Sequence, residues 1–281
     1  MCASVATAQT PITYCGASWS DDVFLTGDLD CSGNQNAAIT LEDDATLDLA
    51  GFSLTGGTAT AVSCVRDCTI VGNGGTITGA QLGGVVAPVG DVTASDVSIS
   101  GNGGSGISAW QKGRVTAMNV TVNDNGWGGD GGGGIEAKFL TATGCTAEGN
   151  YRSGFFGAKL VTVIGSTSSG NRRGVYGHRR IVLTDSLVTN NSHGVYGRKR
   201  VAIQGSVITG NVQGGAWSDR VIEIATSTLV DNAEAPACIE WICADVVSMA
   251  PPRVDTVSCE KSAHFTNRGG HVGSWEICVD D

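Results

Sequence analysis

Proline occurs only 5 times in 281 residues, aromatic residues make up 6%, and histidine appears 4 times. Each scarcity excludes something. A collagen-like chain needs abundant proline beside a glycine at every third position, and the 42 glycines here carry no such period. No apolar run approaches the roughly 18 to 20 residues of a membrane-spanning helix, so no membrane span is expected. No stretch has the 3.6-residue apolar period of an amphipathic helix. Cations are also few: 17 Lys and Arg face 27 Asp and Glu, a formal net charge of −10 at pH 7, which would repel a polyanion such as nucleic acid from most of the surface. Nucleic acid is therefore not expected as a partner, whereas a hydrophobic content of 41% is enough for a sizeable core.

Cysteine is not scarce. Cys15 and Cys31, Cys64 and Cys68, Cys238 and Cys243, and Cys259 and Cys278 lie as close neighbours toward the two ends. Such pairs suit disulfides in an exported protein; zinc ligation is the alternative, but no matching histidines accompany them. The chain opens on Met1-Cys2 without a basic and apolar leader, which fits either a cytosolic protein or an exported one whose signal peptide has been removed. The cysteines favour export, so a secreted, periplasmic or cell-surface location is expected.

What the sequence has in quantity is repetition. GVYGHRR at 174–180 returns as GVYGRKR at 194–200, and TDSLVTNN at 184–191 returns as QGSVITGN at 204–211, each after 20 residues. Extending the offset finds Asn102, Asn125, Asn150, Asn171, Asn191, Asn211 and Asn232, with gaps of 23, 25, 21, 20, 20 and 21. Between them lie short β-branched runs such as Val182-Leu183-Thr184 and Val201-Ala202-Ile203, broken by Gly, Asn and Ser. Short strands and tight turns at that period describe the coils of a parallel β-solenoid, spaced about 4.8 Å apart. On these residues the chain resembles the right-handed parallel β-helix repeat proteins of the pectate-lyase-like superfamily, over residues 37 to 232. The resemblance implies an all-β, single-stranded, right-handed parallel β-helix, but no single activity, because that superfamily hosts lyases, hydrolases, epimerases and inert adhesins. Residues 1–36 and 233–281 are expected as disulfide-containing end caps that cover the otherwise exposed strand edges. A monomer is expected.

Stacked coils turn sequence columns into ladders. Five residues before successive ladder asparagines stand Cys145, Ser166, Ser186, Ser206 and Ser227, so Cys145 is expected as a buried free thiol in a serine stack, not a nucleophile. The asparagines are expected to bond coil to coil and to tolerate left-handed backbone. His193 is expected in a solvated turn, and His264 and His271 belong to the tail. The glycine run 125–136 reads as a bulged turn, with a mobile lid as the other reading.

The strand after each asparagine is different. One column reads Ile107, Ile135, Phe155, Val175, Val195, Ala216, and its alternates read Ala109, Ala137, Gly157, Gly177, Gly197, Ser218. These must face inward, so the intervening columns face outward. They hold Ser108, Glu136, Phe156, Tyr176, Tyr196, Trp217, and then Trp110, Lys138, Ala158, His178, Arg198, Asp219. Lys159, Arg180 and Arg200 stand beside them. Residues 112–220 carry 13 of the 17 cations against 6 acids, while the remainder carries 4 against 21. An acidic protein that gathers its cations in one segment is expected to bind an anion there.

A uronic-acid polysaccharide fits that surface. Guanidinium groups pair with its carboxylates, and the substrate-binding set is expected to be Glu136, Lys138, Trp110, Phe156, Lys159, Arg180, Arg200, Trp217 and Asp219. Hydrolysis is disfavoured, since the two carboxylates Glu136 and Asp219 sit some four coils apart, roughly 19 Å against the ~5 to 9.5 Å required. The aspartate cluster and Gly-His-Gly of the polygalacturonase-like members are absent, for Gly177-His178 is followed by Arg179. Neither the acidic cage nor the Arg-containing loop motif of calcium-dependent pectate lyases is present, so no metal and no cofactor are implied. β-Elimination or C5 epimerisation needs a cation, a base and an acid; the expected catalytic set is Arg198, helped by Lys138, with His178 as base and Tyr176 or Tyr196 as acid. The alternative is a non-catalytic carbohydrate-binding or structural surface β-helix.

Overall fold

The computed structural model describes residues 9–128, 131–218 and 220–232, together with the backbone of 246–248, 253–257 and 265–267. Cys2, Asp219, His264, His271 and the four cysteines from 238 onward lie outside the described residues, as do the side chains of Trp110, Val221 and Val230. The chain is a parallel β-solenoid of about 10 turns with no helix among the described residues. One coil is formed by the strands Arg173–Gly177, Arg180–Thr184 and Leu187–Thr189, and the next by His193–Gly197, Arg200–Gln204 and Val207–Thr209. Val175 pairs with Val195, Ile181 with Val201 and Val188 with Ile208, so the 20-residue repeat is the coil itself.

The inward column of the first sheet, Ile107, Ile135, Phe155, Val175, Val195 and Ala216, is 0 to 3% exposed. Val115, Leu140, Val161, Ile181, Val201 and Ile222 line the second sheet, and Ile99, Val122, Ala147, Val188, Ile208 and Leu229 the third, with equal burial. Each of the larger aliphatic residues contributes roughly 1.5 to 3 kcal/mol by leaving water. The stack begins earlier than the expected boundary at residue 37: Ala17 already pairs with Ile39, Val23 with Leu47 and Leu29 with Leu54. At the other end the backbone of Val246–Ser248 continues it by pairing with Ala216–Ser218.

Two corners bracket the third sheet, and both require left-handed backbone. Asp96, Asn119, Gly144, Gly165, Asp185, Gly205 and Thr226 supply one corner; Gly101, Asp124, Gly149, Gly170, Asn190, Gly210 and Asp231 supply the other, all at positive φ. These are residues that accept that region best, with Thr226 the exception. The ladder asparagines follow the second set directly, so it is the residue before each asparagine, not the asparagine, that takes the left-handed turn. Freed from that task, the asparagines from Asn102 to Asn211 are buried, and with the half-buried Asn232 they form a continuous chain. Asn102 Nδ2 donates to Asn125 Oδ1 at 3.0 Å, Asn125 to Asn150 at 3.1 Å, Asn150 to Asn171 at 3.0 Å, Asn171 to Asn191 at 3.1 Å, Asn191 to Asn211 at 3.1 Å and Asn211 to Asn232 at 2.8 Å. The backbone N–H of each donor meets the same oxygen, as Asn150 does with Asn171 at 2.8 Å.

The other corner carries the serine stack. The Cys145 N–H donates to the Ser166 hydroxyl at 3.0 Å, and Ser166, Ser186 and Ser206 donate in turn to Ser186, Ser206 and Ser227. Cys145 is free and buried, and burial pushes its thiol above the usual range, which leaves it inert. The bridges Cys15–Cys31 and Cys64–Cys68 are both formed.

Asn171→Ala removes an oxygen that accepts two bonds and an amide that donates across the coil. It is expected to cost about 3 kcal/mol or more in denaturant unfolding, and a loss below about 1 kcal/mol would contradict the ladder's role. Cys145→Ser should lie within about 1 kcal/mol of the parent protein, because a hydroxyl can donate to the Thr143 carbonyl as Cys145 does. A thiol reagent should reach Cys145 only after unfolding.

Candidate functional site

The corner between the first and second sheets gathers the cations, and glycine explains why. A Cβ on Gly157 would lie 2.6 Å from Val161 Cγ2, on Gly177 2.8 Å from Ile181 Cγ1, and on Gly197 2.4 Å from Val201 Cγ2. The following strand's aliphatic side chain occupies the space a side chain would need, so the coil turns with only two residues at the corner. Both project outward. Gly157 pairs with Gly177 and Gly177 with Gly197, which stacks Ala158-Lys159, His178-Arg179 and Arg198-Lys199 over one another. The backbone stays laddered through the turn, with the His178 N–H donating to Gly157 at 3.2 Å and the Arg198 N–H to Gly177 at 3.0 Å. Further up the stack the same kind of corner is closed by Cys64–Cys68 instead.

These side chains line an open cleft of about 700 Å³, bounded by Gln111, Lys138, Lys159, His178, Arg179, Arg198, Lys199 and Arg220. Like charges on adjacent coils repel by on the order of 1 kcal/mol per pair even in water. Arg66–Asp43 and Arg200–Glu223 form ion pairs, and among the described residues no acid pairs with Lys138, Lys159, Arg179, Arg198 or Lys199. Lys138 and Lys159 instead lie 5.6 Å from the centre of the Phe139 ring, and Arg114 lies 5.5 Å from it. No three His, Cys, Asp or Glu side chains gather as metal ligands among the described residues.

Beside the corner runs the aromatic column. Phe156 and Tyr176 stack with ring centres 5.2 Å apart, Tyr176 and Tyr196 tilt at 5.4 Å, and Tyr196 and Trp217 stack at 5.8 Å. The rings therefore turn much of their faces to one another along the solenoid and present mainly edges outward. Tyr176 is only 8% exposed, because the Arg173 guanidinium also lies 4.5 Å over its ring. The His178 imidazole meets the column edge-on, 5.4 Å from Phe156 and 5.2 Å from Tyr176. That partial burial, then Arg198 and Arg173, holds its pKa below the ordinary histidine value, so it is neutral near pH 7.

The expected site residues are thus brought together unevenly. His178, Arg198, Lys138 and Lys159 share the cleft, and Phe156, Tyr176, Tyr196 and Trp217 form the neighbouring ladder. Arg180 and Arg200 stand past the corner at the start of the second-sheet strands. Arg200 is already engaged, with Nη2 2.6 Å from Glu223 Oε2 of the next coil. Trp110 falls at a bulge, where the register shifts between Ala109 and Arg114, and its side chain, like Asp219, lies outside the described residues.

Glu136 belongs to a second hollow. At the opposite end of the strands, a cavity of about 700 Å³ is bounded by Glu136, Arg152, Arg173, Ser105, Ser108, Phe156 and Tyr176, with the glycine run as one wall. The described residues of the run are tied to the neighbouring coils: Gly126 donates to Asn102, Gly128 to Gly103 and Gly134 to Ser153. Burial pushes the Glu136 carboxyl above its usual value, against the opposing pull of Ser105, Arg152 and the Gly133 N–H. His193 is no solvated turn residue. It starts the strand His193–Gly197 in register with Arg173, its Nδ1 is buried without a partner, and burial lowers its pKa. Arg152, Arg173 and His193 escaped the sequence reading, although Ser153, Arg173 and His193 recur at the same 20-residue offset.

No protein-family model matches the chain, and no curated protein matches it. Among solved structures it is similar to pectate lyase Pel9A, at 12% identity and a TM-score of 0.41, over 93% of this chain and 74% of that one. It is also similar to PfbA, a surface adhesin of Streptococcus pneumoniae, at 11% identity and a TM-score of 0.21, over 89% of this chain and 76% of that one. At these values the residues of those proteins say nothing about the residues of this site.

Because the folded state raises the Glu136 pKa, its contribution to stability is present below the unfolded carboxyl's pKa and is lost as pH rises through the folded one. Glu136→Gln should therefore raise the melting temperature at pH 7, with the gap narrowing as pH falls toward 4. An equal or lower melting temperature for the variant at pH 7 would contradict a desolvated carboxyl.

Proposed function

We propose that the protein binds an anionic, uronic-acid polysaccharide along the basic corner and the adjoining aromatic ladder. The observation that carries this reading is the stack of corner cations in register, which no acid among the described residues pairs with, in a chain whose net charge is −10. A row of cations without acidic partners suits a polymer that carries carboxylates, and the ring edges of the neighbouring ladder offer apolar contact to sugar C–H groups. The disulfides Cys15–Cys31 and Cys64–Cys68 support an extracellular or periplasmic setting, where such polymers occur.

A chemical step on the bound chain, β-elimination or C5 epimerisation, is favoured by one feature: a neutral imidazole set among cations. Arg198, one coil from His178, neutralises the substrate carboxylate and makes the adjacent C5–H acidic; Lys138, the expected helper, stands three coils away, roughly 14 Å at ~4.8 Å per coil, and does not reach the same carboxylate. His178 takes that proton. In elimination the released electron pair forms the C4–C5 double bond as the C4–O bond breaks, and the leaving oxygen takes a proton from a phenol. In epimerisation the phenol returns a proton to the opposite face of C5. Tyr196 suits the acid role better than Tyr176, whose ring is covered. A purely binding protein would keep the corner and need neither His178 nor a phenol.

Binding to alginate or pectate should weaken markedly between low and high salt, since the contacts are exposed charges. Affinity indifferent to salt, or absent for every polyanion, contradicts the reading. If chemistry occurs, the products show the absorbance of a conjugated C4–C5 double bond, or deuterium from solvent enters C5. His178→Ala should then lower kcat by roughly 100-fold or more. The acid limb of kcat/KM should fall below pH 6.5, and Arg198→Ala should move it upward, because removing a cation makes the imidazolium less costly. Uronate polymers bound without absorbance or exchange leave the binding role alone.

A further inference from the structure

The hollow around Glu136 lies at the far end of the strands from the basic corner. Between Arg173 and His178 the strand covers about 16 Å at ~3.3 Å per residue, and the aromatic ladder fills the interval. Its volume, about 700 Å³, falls in the ordinary range of small-ligand sites. Two guanidinium groups border it. Arg152 is exposed, Arg173 rests on the Tyr176 ring, and neither forms an ion pair among the described residues. Facing them are the Glu136 carboxyl, which the Ser105 hydroxyl already meets, and the Ser108 hydroxyl, groups that suit sugar hydroxyls.

The wall is built by the lengthened coil. Asn125 and Asn150 are 25 residues apart, against 20 or 21 in the coils that follow. Gly132 packs back against the preceding coil, where a Cβ would lie 2.1 Å from the Ser105 nitrogen, and a Cβ on Gly133 would lie 3.1 Å from Glu136 Oε1. One carboxyl among two guanidinium groups also limits the ligand, for a polysulfated unit would place several anions against Glu136, whereas a single carboxylate leaves hydroxyl groups to face it.

We propose that this hollow is a second uronate site, which holds one carboxylated sugar unit of the same chain that the basic corner holds, so that the polymer crosses the aromatic ladder along the strands instead of running down the solenoid. The inference rests on the polysaccharide reading above and adds to it a direction and a minimum length. Burial of the Glu136 carboxyl, which favours its protonated, donating form, fits a group meant to meet a hydroxyl.

Calorimetric titration with galacturonate and mannuronate oligomers of increasing length, at low salt, tests it. For the parent protein, affinity should step up by about tenfold or more once an oligomer is long enough to reach both sites, through effective concentration. In Arg152→Ala that step should vanish, and long oligomers should bind no tighter than short ones. Arg152 is exposed, so the variant should stay folded, with at most a small loss of melting temperature from the lost pull on Glu136; Arg173→Gln serves as the second variant and should flatten the same step. A parent that binds with a step surviving in both variants overturns the second site while leaving the corner in place. A parent that binds no uronate oligomer of any length overturns both.

Discussion

In a parallel ladder, each residue sits about 4.8 Å from its counterpart one coil away, and every other feature of this protein follows from that proximity. A residue repeated at the coil period becomes a column, and a column must be self-compatible. Aliphatic columns give the core. Amide columns give the asparagine chain, in which each Oδ1 accepts from both amide groups of the asparagine before it. A column of buried polar groups is tolerable only when each member is satisfied by the next, so the chain cannot lose one link without leaving its neighbours unpaired.

A charged column is the one kind that is not self-compatible. Lys159, Arg179 and Lys199 stand over one another in register, and no acid of the described chain answers them. The fold sustains them because the coil's stability comes from the opposite faces of the same strands, Val175 and Val195, and from the glycines that tighten the corner. Arg200 shows the other outcome: one coil on, Glu223 is placed to pair with it, and it takes no part in the cleft. The difference between the two corners of charge, one answered and one not, separates structural cations from those available to a ligand.

The coil period, the inward columns and the burial of Cys145 were legible in the sequence because each depends on a residue and its counterpart about 20 positions away, which direct comparison of the chain with itself reveals. Other features depend on where a strand ends. That His178 and Arg198 stand at a corner, not on a flat face, follows from Gly177 and Gly197 admitting the side chains of Ile181 and Val201. Alternation alone does not contain this. Nor does it contain the closeness of stacked rings, which makes Phe156, Tyr176, Tyr196 and Trp217 a mutually covered column. Glu136 reads as an exposed acid in its column, yet Gly132 and Gly133 pack beside it and Arg152 of the following coil acts on its carboxyl. The left-handed turns were assigned one residue late, since Asn and its predecessor are both residues that accept that region.

A crystal structure of the protein soaked with a uronate oligosaccharide bears most directly on the claim that the unpaired corner is a carboxylate site. The account predicts a sugar carboxylate within about 2.7–2.9 Å of the Arg198 guanidinium, with C5 of that unit facing the His178 imidazole. An oligosaccharide bound on another face of the solenoid, or lying at the corner with its carboxylates turned to solvent, would contradict it.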